Sequence, residues 1–424
     1  MKKLAVAGNP IAYSKSPEIF KVLCAAYDIN AGYVRISAES PEEIMSVVSK
    51  YGITAFNVTS PFKEKMSCFL HDTDHIAKDT GSVNLVINKN GKFYGFNTDV
   101  YGVQHSLLFH NINVIRRKCL VIGAGGAARS AVFALKDLGS EVYICNKTDE
   151  KADKISSELG CGLILYENLK ENLSDIFLMI TAVPEISADI KDELKNIIVF
   201  EAGYREPQFK TFCKKHLDGM DWLIYQAVRN FELIFDIKQE FKTVKEELQK
   251  RKEKVNLAFI GSTCTGKTAF GKFVAARFGM NFIDTDREIE NKAGMKITEM
   301  FKVHGEGYFR KRESEVIARS VLDGGSVISI GAGAVESETN RKLIKDNCFT
   351  VLIDSDTEVI LSRLKMDELN KRPMLDNDRL RESLEKLFGK RKDCYFAAAD
   401  LIIKTGSGFV EEEAEKIIRE LNAR

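Results

Sequence analysis

Short runs of apolar residues alternate along the chain with segments of helical periodicity. The intervening segments repeat apolar residues at spacings of three and four, which is typical of amphipathic helices. Strands that alternate with helices in this way predict an α/β fold with a mostly parallel sheet. The apolar runs before residue 250 include Leu4–Ala7, Ala55–Val58, Leu120–Ile122, Val142–Ile144, Phe177–Ile180 and Ile197–Phe200.

The helical spacing extends over residues 234 to 248, in a background rich in lysine and glutamate. This pattern predicts one long amphipathic helix. A charged run without apolar residues, 249–254, follows directly, and we interpret it as a solvated helix end or linker rather than a nucleic-acid-binding patch. The sequence therefore predicts a boundary there between two modules, residues 1–250 and 255–424. The apolar positions of the predicted helix are Ile234, Ile237, Phe241, Val244 and Leu248.

Length and composition narrow the class of protein. At 424 residues the chain is long enough for two or three domains, and a hydrophobic content of 44% supports well-packed cores. The 62 basic and 61 acidic side chains nearly cancel, so no overall charge favours nucleic acid or an anionic membrane as a partner. The nine cysteines lack zinc-ligand spacing, which is typical of reduced thiols without disulfides or structural metal. With no signal peptide and no run long enough to span a bilayer, we expect a cytoplasmic protein.

A phosphate-binding pattern begins just after the predicted boundary. The segment GSTCTGKT at 261–268 matches G-x-x-x-x-G-K-[ST], between an apolar run at 255–260 and helical spacing at 269–278. Small residues let successive backbone N–H groups close around phosphate oxygens at the positive end of the new helix. Lys267 would then reach the outer phosphates and Thr268 would contact Mg²⁺. The predicted nucleotide-binding residues are Gly261, Cys264, Thr265, Gly266, Lys267 and Thr268.

A second glycine turn interrupts the first module. The segment CLVIGAGGAARS at 119–130 is typical of a buried strand, a turn and a helix, with the dinucleotide-binding pattern G-x-G-x-x-A. Gly123 permits the tight turn, Gly125 lets a pyrophosphate approach the backbone, and Ala128 lets the helix pack closely on the strand. The predicted cofactor contacts in this turn are Gly123, Gly125, Gly126 and Ala127.

The end of the next predicted strand, 141–145, bears on the choice between NAD and NADP. An NAD site usually carries a carboxylate here for the ribose hydroxyls, whereas this chain has Asn146, Lys147 and Thr148. Lys147 and the hydroxyl of Thr148 would attract a 2′-phosphate, so the sequence favours NADP over NAD. Two acidic residues follow immediately and weaken this inference, and Lys147 could also be an ordinary solvated lysine.

Two ionisable residues of the first module could act on a substrate. Lys63 follows the apolar run 55–58, and Asp99 follows a strand pair that is joined by the turn at 88–91. If the two side chains converge at a cleft, the carboxylate holds the ammonium, and the pair can pass a proton to or from a substrate oxygen during hydride transfer. The spacing leaves open whether they meet.

Two aspartates, Asp284 and Asp286, come at the end of a predicted strand in the second module. Alternation along a strand would direct both side chains to the same side. One carboxylate could then hold Mg²⁺ while the other meets the hydroxyl that attacks the γ-phosphate. Asp286 could equally serve as a helix N-cap.

Three arginines of the second module lie where a ligand could bind. Arg310 follows two aromatic residues, and a carboxylate substrate would need such a guanidinium. Arg372 lies in a polar stretch, 371–375, that could close as a lid and neutralise charge on the transferring phosphoryl. Arg391 is a further candidate for an anion, although each arginine could instead form a surface salt bridge. Small residues at 329–334 would let backbone N–H groups approach a ligand.

Six motifs of the first module together resemble shikimate dehydrogenase. The resemblance covers nearly all of this module and implies NADPH-dependent reduction of 3-dehydroshikimate to shikimate, with Lys63 and Asp99 as the catalytic pair. It also implies a substrate lobe at about 1–105 plus 228–250 and a Rossmann lobe at about 106–227. The motifs are GNPIAYSKSP at 8–17, NVTSPFK at 57–63, GSVN at 81–84, NTD at 97–99, GAGGAARS at 123–130 and YQA at 225–227. The residues that would hold the substrate are Ser14, Ser16, Thr59, Asn84, Tyr204 and Gln226.

The first module departs from this family pattern at three positions. Lys147 replaces the usual arginine at the 2′-phosphate, so a bidentate contact becomes a point charge and cofactor selectivity could be looser. Leu85 replaces a threonine and removes a hydroxyl near the substrate, and Glu201 replaces an aspartate ahead of the substrate tyrosine. No catalytic group is lost. A quinate dehydrogenase, or relaxed use of NAD and NADP, stays an alternative.

The second module resembles shikimate kinase over its whole predicted length, through the P-loop, Asp-x-Asp, GEGYFR, GAGA and RPML motifs in the family's order. The resemblance implies a P-loop domain with a parallel sheet that phosphorylates shikimate with ATP. Thr268 and Asp284 would contact Mg²⁺, Asp286 would be the base, and Lys267 and Arg372 would act on the phosphoryl group. The residues that would hold shikimate are Asp286, Arg310, Gly331, Ala332, Gly333 and Arg391, where Ala332 replaces the middle glycine of the family motif.

We therefore expect a bifunctional enzyme of the shikimate pathway that uses NADP(H), ATP and Mg²⁺, without a nucleic-acid or membrane partner. A catalytically dead sensor of the same metabolites is the alternative from another class. The presence of Lys63, Asp99, Lys267 and Asp286 argues against a sensor, as does the lack of an appended DNA-binding motif. The oligomeric state, the placement of the modules and the transfer of shikimate between them stay open.

Overall fold

The structure is a computed structural model of the chain. It describes residues 1–186, 189–238, 241–248, 254–322, 324–364 and 379–424. The strands in these residues are β1 (Lys2–Gly8), β2 (Ala31–Ser37), β3 (Ala55–Val58), β4 (Asp72–Thr73), β5 (Leu85–Lys89), β6 (Lys92–Phe96), β7 (Lys118–Ile122), β8 (Glu141–Cys145), β9 (Gly162–Leu163), β10 (Leu178–Thr181), β11 (Ile198–Glu201), β12 (Lys215–Leu217), β13 (Asn256–Ile260), β14 (Asn281–Asp284), β15 (Ser326–Ser329), β16 (Cys348–Asp354) and β17 (Leu401–Lys404).

The helices of the described residues fall between these strands, as the alternation of patterns predicts. None of them is long and apolar enough to cross a bilayer. They are α1 (Ser16–Ala26), α2 (Pro41–Tyr51), α3 (His75–Thr80), α4 (Asp99–Phe109), α5 (Gly126–Asp137), α6 (Asp149–Leu159), α7 (Gly219–Phe235), α8 (Phe241–Leu248), α9 (Lys267–Phe278), α10 (Thr285–Ala293), α11 (Ile297–Ser320), α12 (Glu338–Asn347), α13 (Thr357–Arg363), α14 (Leu380–Ala398) and α15 (Val410–Ala423).

These elements form two compact units. The first comprises Met1–Ser14, Gly32–Gly52 and Arg251–Arg424, and the second comprises Lys15–Ala31 and Ile53–Lys250. The units therefore divide the chain differently from the predicted modules, because β1, most of β2 and α2 belong with the C-terminal residues. The module boundaries, which follow the sequence motifs, stay a prediction.

The sheet of the first unit is built around β13, whose five residues are all buried. The strand order is β14, β15, β13, β16, β17, β2 and β1, and the pairs from β14 to β2 are parallel. Leu257 and Phe259 of β13 join a core that includes Phe270 of α9 and Ile417 of α15. Because β13 leads directly into the glycine turn at 261–266, this core fixes the start of the predicted phosphate-binding loop.

The second unit contains a parallel sheet with the order β12, β11, β10, β7, β8 and β9, and a smaller group of strands, β3, β5, β6 and β4. In the smaller group, β5 pairs antiparallel with both β3 and β6. Strands β5 and β6 form a hairpin that is connected by the predicted turn at 88–91. Apolar residues of the parallel sheet are buried on both faces, in two separate clusters. A strand buried on both faces is expected to be a nearly continuous apolar run, as the sequence shows.

The prediction of one long helix over 234–248 is wrong. Helix α7 ends at Phe235, and Asp236 adopts the left-handed conformation at φ 59°. The N–H of Asp236 donates to the carbonyl of Glu232, which closes the last turn, and the next described helix is α8, Phe241–Leu248. Apolar periodicity continues across such a stop because both helices bury the same kind of face.

The charged run that follows α8 falls largely outside the described residues. Lys254 is its described member, and its Nζ lies 2.7 Å from Asp400 Oδ2. A carboxylate just before β17 thus holds this one side chain, and the interpretation of the run as a solvated helix end or linker stays a prediction.

Candidate functional sites

The Lys63 and Asp99 side chains meet in the second unit. Lys63 Nζ lies 2.5 Å from Asp99 Oδ2, and the two side chains are 14% and 6% exposed. The other carboxylate oxygen, Oδ1, accepts a hydrogen bond of 3.3 Å from Trp222 Nε1 on α7. In a nearly buried ion pair of this kind, each group compensates for the hydration that the other loses. The geometry can hold a proton donor at a fixed point.

Local hydrogen bonds fix both members of this pair. The carbonyl of Lys63 accepts from the Val83 N–H at 2.9 Å, which ties the loop after β3 to the segment before β5. Asp99 is the first residue of α4, and its N–H donates to Asn97 Oδ1 at 3.1 Å. Trp222 packs where Gly102 leaves room, because a Cβ at Gly102 would lie 2.5 Å from the indole ring.

Two of the predicted substrate-binding residues, Asn84 and Gln226, are in direct contact beside this pair. Asn84 Nδ2 donates to Gln226 Oε1 at 2.8 Å, and Asn84 Oδ1 accepts from the N–H of Thr98 at 2.8 Å. Both amides are buried, at 1% and 6% exposure. Since Thr98 precedes Asp99, one amide network joins predicted substrate contacts to the catalytic carboxylate.

The remaining predicted substrate contacts are less closely defined. Thr59 follows β3 and Tyr204 follows β11, and both side chains are half-buried. Ser16, which begins α1, is buried in the second unit, whereas Ser14 is buried in the first. The convergence of these four residues on Lys63 stays a prediction.

The dinucleotide-type turn lies directly against the Lys63 loop. A Cβ at Gly126, the first residue of α5, would lie 2.5 Å from Ser82 Oγ and 2.8 Å from Lys63 Cβ. Gly125, the N-cap of α5, has no heavy atom nearer than 4.0 Å to such a Cβ, which leaves space above the helix N-terminus. Gly123 has φ 128°, a conformation that favours glycine. This cradle fits a pyrophosphate.

The residues predicted to meet a 2′-phosphate follow β8. Asn146 Nδ2 donates to the carbonyl of Thr148 at 3.0 Å, and the Lys147 side chain is exposed. Asp149, which weakened the sequence argument, accepts the N–H of Tyr166 at 3.1 Å through Oδ1. One of the two acids at this turn is therefore already bound to the protein backbone, while Lys147 stands in solvent.

Glu201, which departs from the family aspartate, is a structural residue of its loop. Its carboxylate lies 2.6 Å from His216 Nε2 and accepts the N–H groups of Gln208 at 2.8 Å and Phe209 at 3.3 Å. Burial raises the pKa of Glu201, but these hydrogen bonds outweigh burial and hold the pKa below its usual value. The longer acid thus closes the loop that carries Tyr204.

Sequence reasoning missed two residues of this site, Trp222 and Arg129. Arg129 of α5 is 6% exposed, and it donates to the carbonyl of Thr80 at 3.1 Å and pairs with Glu158. Its Nε lies 3.9 Å from Glu64, the neighbour of Lys63. Arg129 lies within the glycine motif at 123–130, so its position in the sequence could have indicated a place near the site. Nothing near Trp222 in the sequence indicated a contact with Asp99.

In the first unit, the P-loop folds back on the sheet. Gly261 has φ 145°, and a Cβ there would lie 2.5 Å from the carbonyl oxygen of Ile353 in β16. Gly266 has φ 96° and caps α9. Lys267 Nζ donates to the carbonyls of Gly261 at 3.0 Å and Ser262 at 2.6 Å, so the lysine spans the loop from its helix end to its strand end.

Oxygen atoms gather beside the N-terminus of α9. Thr268 Oγ1 donates to Asp284 Oδ2 at 2.7 Å and lies 3.3 Å from Ser329 Oγ. Hydroxyl and carboxylate oxygens are ligands that Mg²⁺ accepts, usually together with water and phosphate. The donor set fits the predicted metal contacts, Thr268 and Asp284. A cavity of about 440 Å³ adjoins these residues and Asp286.

The prediction that Asp284 and Asp286 share a strand face, and the alternative that Asp286 caps a helix, are both wrong. Strand β14 ends at Asp284, and Asp286 already belongs to α10. Asp284 Oδ1 accepts the N–H groups of Asp286 at 3.1 Å and Arg287 at 3.2 Å, so Asp284 is the N-cap. Its other oxygen is the one that faces Thr268.

Asp286 and Arg310 approach the backbone at the glycines of the GAGA segment. A Cβ at Gly331 would lie 2.7 Å from Asp286 Oδ1, and a Cβ at Gly333 would lie 2.6 Å from the guanidinium of Arg310. The N–H of Gly331 donates to Thr285 Oγ1 at 3.0 Å, so this N–H serves the protein rather than a ligand. The small residues here make room for charged side chains.

Each of the two described candidate arginines is paired with a carboxylate. Arg310 donates to Glu313 Oε2 at 2.8 Å, and Arg391, 8% exposed at its side chain, donates to Glu336 Oε1 at 2.8 Å. The carbonyl of Ala332 accepts from Tyr395 Oη at 2.7 Å, which fixes the residue that departs from the family motif. Arg372 lies outside the described residues, and its predicted role stays a prediction.

Glu313 was missed by sequence reasoning. It is 1% exposed on α11, and burial raises its pKa to about 7, against the lowering effect of Arg310 and with a further rise caused by Asp286. Burial thus makes Glu313 a weaker acid than an exposed glutamate, even though Arg310 pairs with it. Its spacing of three residues after Arg310 was the available signal, because residues at this spacing are neighbours on a helix.

Comparison with known proteins finds two families in the chain. The model of the shikimate dehydrogenase substrate binding domain matches residues 6–86, and the model of shikimate kinase matches residues 263–422. A shikimate dehydrogenase (NADP(+)) of Halobacterium salinarum is 30% identical over 251 residues, 55% of this chain and 92% of that protein. A shikimate kinase of Vibrio vulnificus is 36% identical over 169 residues, 40% of this chain and 97% of that protein.

Solved structures agree with the first of these similarities. The crystal structure of shikimate dehydrogenase from Aquifex aeolicus has a TM-score of 0.55 and 27% identity, and it covers 59% of this chain and 98% of that protein. A structure from Thermus thermophilus, solved in complex with NADP(H) and shikimate, has a TM-score of 0.53 and 26% identity, with 59% of this chain and 99% of that protein covered.

Proposed function

The chain belongs to the shikimate dehydrogenase family in its N-terminal part and to the shikimate kinase family in its C-terminal part, and we propose that it converts 3-dehydroshikimate through shikimate to shikimate 3-phosphate. It is a bifunctional enzyme of the shikimate pathway, in which an NADP-dependent dehydrogenase and an ATP-using kinase share one polypeptide. The two reactions are consecutive, because the alcohol made at the first site is the nucleophile at the second.

At the dehydrogenase site, the observation that carries the proposal is the contact of Lys63 with both Asp99 and the Gly126 turn. Bound NADPH would supply the hydride. Reduction of a carbonyl also needs a proton, and Lys63 Nζ is held 2.5 Å from Asp99 Oδ2 to deliver one to the new hydroxyl oxygen. Trp222 restrains the other carboxylate oxygen, so Asp99 keeps the ammonium aimed at one point.

Residues other than this pair would orient the substrate. Asn84 and Gln226 form one buried amide pair, whose remaining donors and acceptors are suited to ring hydroxyls. Thr59 and Tyr204 would add hydroxyl contacts, and Ser14 and Ser16 would hold the carboxylate. We assign these roles from the family motifs and from the burial of the amide pair.

At the kinase site, we propose that Asp286 accepts the proton of the attacking hydroxyl while Lys267 and the P-loop backbone hold the phosphates. Thr268 and Asp284 would hold Mg²⁺, whose charge would offset that of the phosphates. Arg310 would bind the shikimate carboxylate, since its guanidinium lies over Gly333 beside Asp286 and Gly331. The ion pairs with Glu313 and Glu336 would keep Arg310 and Arg391 in place before the substrate arrives.

Paired single substitutions test this proposal. Lys63→Ala should slow NADPH oxidation by about 10²- to 10⁴-fold, the range for a lost acid–base group, and should still phosphorylate supplied shikimate. Lys267→Ala should abolish phosphorylation and leave NADPH oxidation unchanged. Circular dichroism and the unfolding temperature serve as controls for folding. If either substitution in a folded protein abolished both activities, the assignment of two independent sites would be wrong.

A further inference from the structure

Glu420, near the C-terminal end of α15, binds the backbone of a segment more than 400 residues away in the sequence. Its Oε2 accepts the N–H of Ile11 at 2.7 Å and the N–H of Ala12 at 2.9 Å. The side chain is buried, at 1% exposure. A carboxylate that accepts two backbone N–H groups makes short, charge-assisted hydrogen bonds, and both donors would be left unsatisfied without it.

Further hydrogen bonds connect Ser14 to the segment that Glu420 holds. The N–H of Ser14 donates to the carbonyl of Ile11 at 2.9 Å, which makes 11–14 a turn. The carbonyl of Ser14 accepts from Arg35 Nε at 2.9 Å and Nη2 at 2.5 Å. Arg35 is itself 3% exposed. The backbone of Ser14 is thus fixed on both sides, by the turn that Glu420 holds and by a buried guanidinium.

The support for this segment comes from the C-terminal part of the chain. Strand β2, which carries Arg35, pairs in parallel with β17, and the N–H of Arg35 donates to the carbonyl of Asp400 at 3.0 Å. The guanidinium lies 5.7 Å from the ring centroid of Phe349. Glu420, Asp400 and Phe349 fall within the residues that match shikimate kinase, whereas Ile11, Ala12 and Arg35 fall within those that match the dehydrogenase substrate domain.

We propose that Glu420 is a positioning residue for the dehydrogenase reaction, which it serves by holding the turn that orients Ser14 toward the substrate carboxylate. The inference rests on the proposed function in one respect, the role of Ser14. It assigns to a helix of the kinase part a task in substrate binding at the other site. Loss of the carboxylate loosens the turn and weakens binding of 3-dehydroshikimate, while hydride and proton transfer at Lys63 and Asp99 are left intact.

Steady-state kinetics of both activities test the inference in the full-length chain. For Glu420→Ala we expect the KM for 3-dehydroshikimate to rise about 10-fold. This is the effect of losing one charged hydrogen bond, here the bond from Ser14 to the substrate carboxylate. The kcat of reduction, the KM for NADPH and the kinase constants should stay within about twofold. Glu420→Gln keeps an acceptor oxygen without the charge, and it should recover most of the loss.

The matched control is Glu413→Ala, which removes another buried acid from α15. Glu413 is 6% exposed and pairs with Lys416 at 3.5 Å, so its loss tests general damage to the helix. Its KM for 3-dehydroshikimate should be that of the unmodified protein. Kinase activity in each variant reports whether the first unit is folded.

Ser14→Ala separates failure of this inference from failure of the proposed function. If Ser14→Ala raises the KM for 3-dehydroshikimate and Glu420→Ala leaves it unchanged, Glu420 has no positioning role. An unchanged KM in Ser14→Ala would instead overturn the assignment of Ser14 to the substrate. Should Glu420→Ala fail to fold, Glu420→Gln decides. A small rise in the KM for 3-dehydroshikimate, at unchanged kcat and unchanged kinase activity, would support the inference. An unchanged KM, with kcat and kinase activity both lowered, would overturn it.

Discussion

The two glycine turns, after β7 and after β13, leave space for different neighbours. In the first, the atoms that a Cβ at Gly126 would meet belong to the side chains of Ser82 and Lys63. In the second, a Cβ at Gly261 would meet the backbone carbonyl of Ile353 in the neighbouring strand, 2.5 Å away. Gly126 is thus fitted to a catalytic loop, and Gly261 is fitted to its own sheet.

The contrast shows that glycines in similar sequence patterns are required for different physical reasons. Gly261 also has φ 145°, a conformation that a side chain disfavours, whereas Gly126 begins a regular helix. Substitution of Gly261 should therefore damage the fold of the loop, and substitution of Gly126 should displace a catalytic group. The predictions below test this difference, from the largest expected effect to the smallest.

Gly261→Ala should lower the kcat/KM of the kinase by about 100-fold or more. The new methyl group meets backbone that cannot rotate away, and the strained φ adds about 1 to 3 kcal/mol. The unfolding temperature should fall as well, while NADPH oxidation is retained. Gly389→Ala on α14, where a Cβ has no neighbour within 4 Å, is the control for an added methyl group. Full kinase activity in Gly261→Ala would contradict the fitted turn.

Gly126→Ala should have a smaller effect, confined to the dehydrogenase. The methyl group would lie 2.5 Å from Ser82 Oγ and 2.8 Å from Lys63 Cβ, so the loop that carries Lys63 must shift to admit it. We expect kcat for NADPH oxidation to fall about 10-fold, because displacement of a catalytic group is costly in rate. The unfolding temperature should change little. A loss of stability as large as that of Gly261→Ala would remove the distinction between the two turns.

The buried acid Glu313 predicts that the stability of the first unit depends on pH. Burial raises its folded-state pKa to about 7, above the ordinary value of 4.5. The folded protein therefore binds more protons than the unfolded chain between these values, and stability falls as the pH rises through this window. We therefore compare the unfolding temperatures of Glu313→Gln and the unmodified protein. The variant's value minus that of the unmodified protein should increase by about 5 °C between pH 5 and pH 8.

The control for this comparison is Glu315→Gln, on the same helix. The Glu315 side chain is 46% exposed and pairs with Arg312. Its variant should follow the unmodified protein at every pH. A constant difference between Glu313→Gln and the unmodified protein from pH 5 to pH 8 would show that Glu313 does not titrate there.

The smallest effect is expected at Lys147. Because the side chain is exposed, Lys147→Ala should leave stability unchanged and should lower kcat/KM for NADPH about fivefold, as for loss of one solvated charge contact. The value for NADH should not change. Lys147→Arg should raise the preference for NADPH by offering a bidentate contact. Equal changes with both cofactors would show that Lys147 does not meet the 2′-phosphate.

Activity with quinate, measured in the same assays, tests the alternative substrate.

Motifs of adjacent residues in both sites could be predicted from the sequence. The contacts with distant residues that hold these motifs in place mostly could not. The strand, glycine turn and helix at 256–278 are encoded by adjacent residues, so a motif predicts them. The meeting of Lys63 with Asp99 needed the fold, because the two residues come from separate loops. Asp284 and Asp286 show the same limit at short range, since one residue decides where a strand ends and a helix begins.

Other features could not be read from the sequence for a plain physical reason. Apolar periodicity runs unbroken through Asp236, because a left-handed residue changes the direction of the backbone without changing which faces are buried. The contacts of Glu420 with Ile11 and Ala12 involve backbone N–H groups, which leave no trace in residue types. Trp222 donates to Asp99 across more than 120 positions, and a buried tryptophan is expected in any core.

The most direct test of the central claim, two independent consecutive sites in one chain, is to mix the two singly inactivated variants. Lys63→Ala and Lys267→Ala are each incubated alone, then together, with 3-dehydroshikimate, NADPH and MgATP, and products are followed by ³¹P NMR and mass spectrometry. Lys267→Ala alone should accumulate shikimate, Lys63→Ala alone should form product at least about 100-fold more slowly than the mixture, and the mixture should yield shikimate 3-phosphate. No phosphorylated product from the mixture, with both variants folded, would contradict the account.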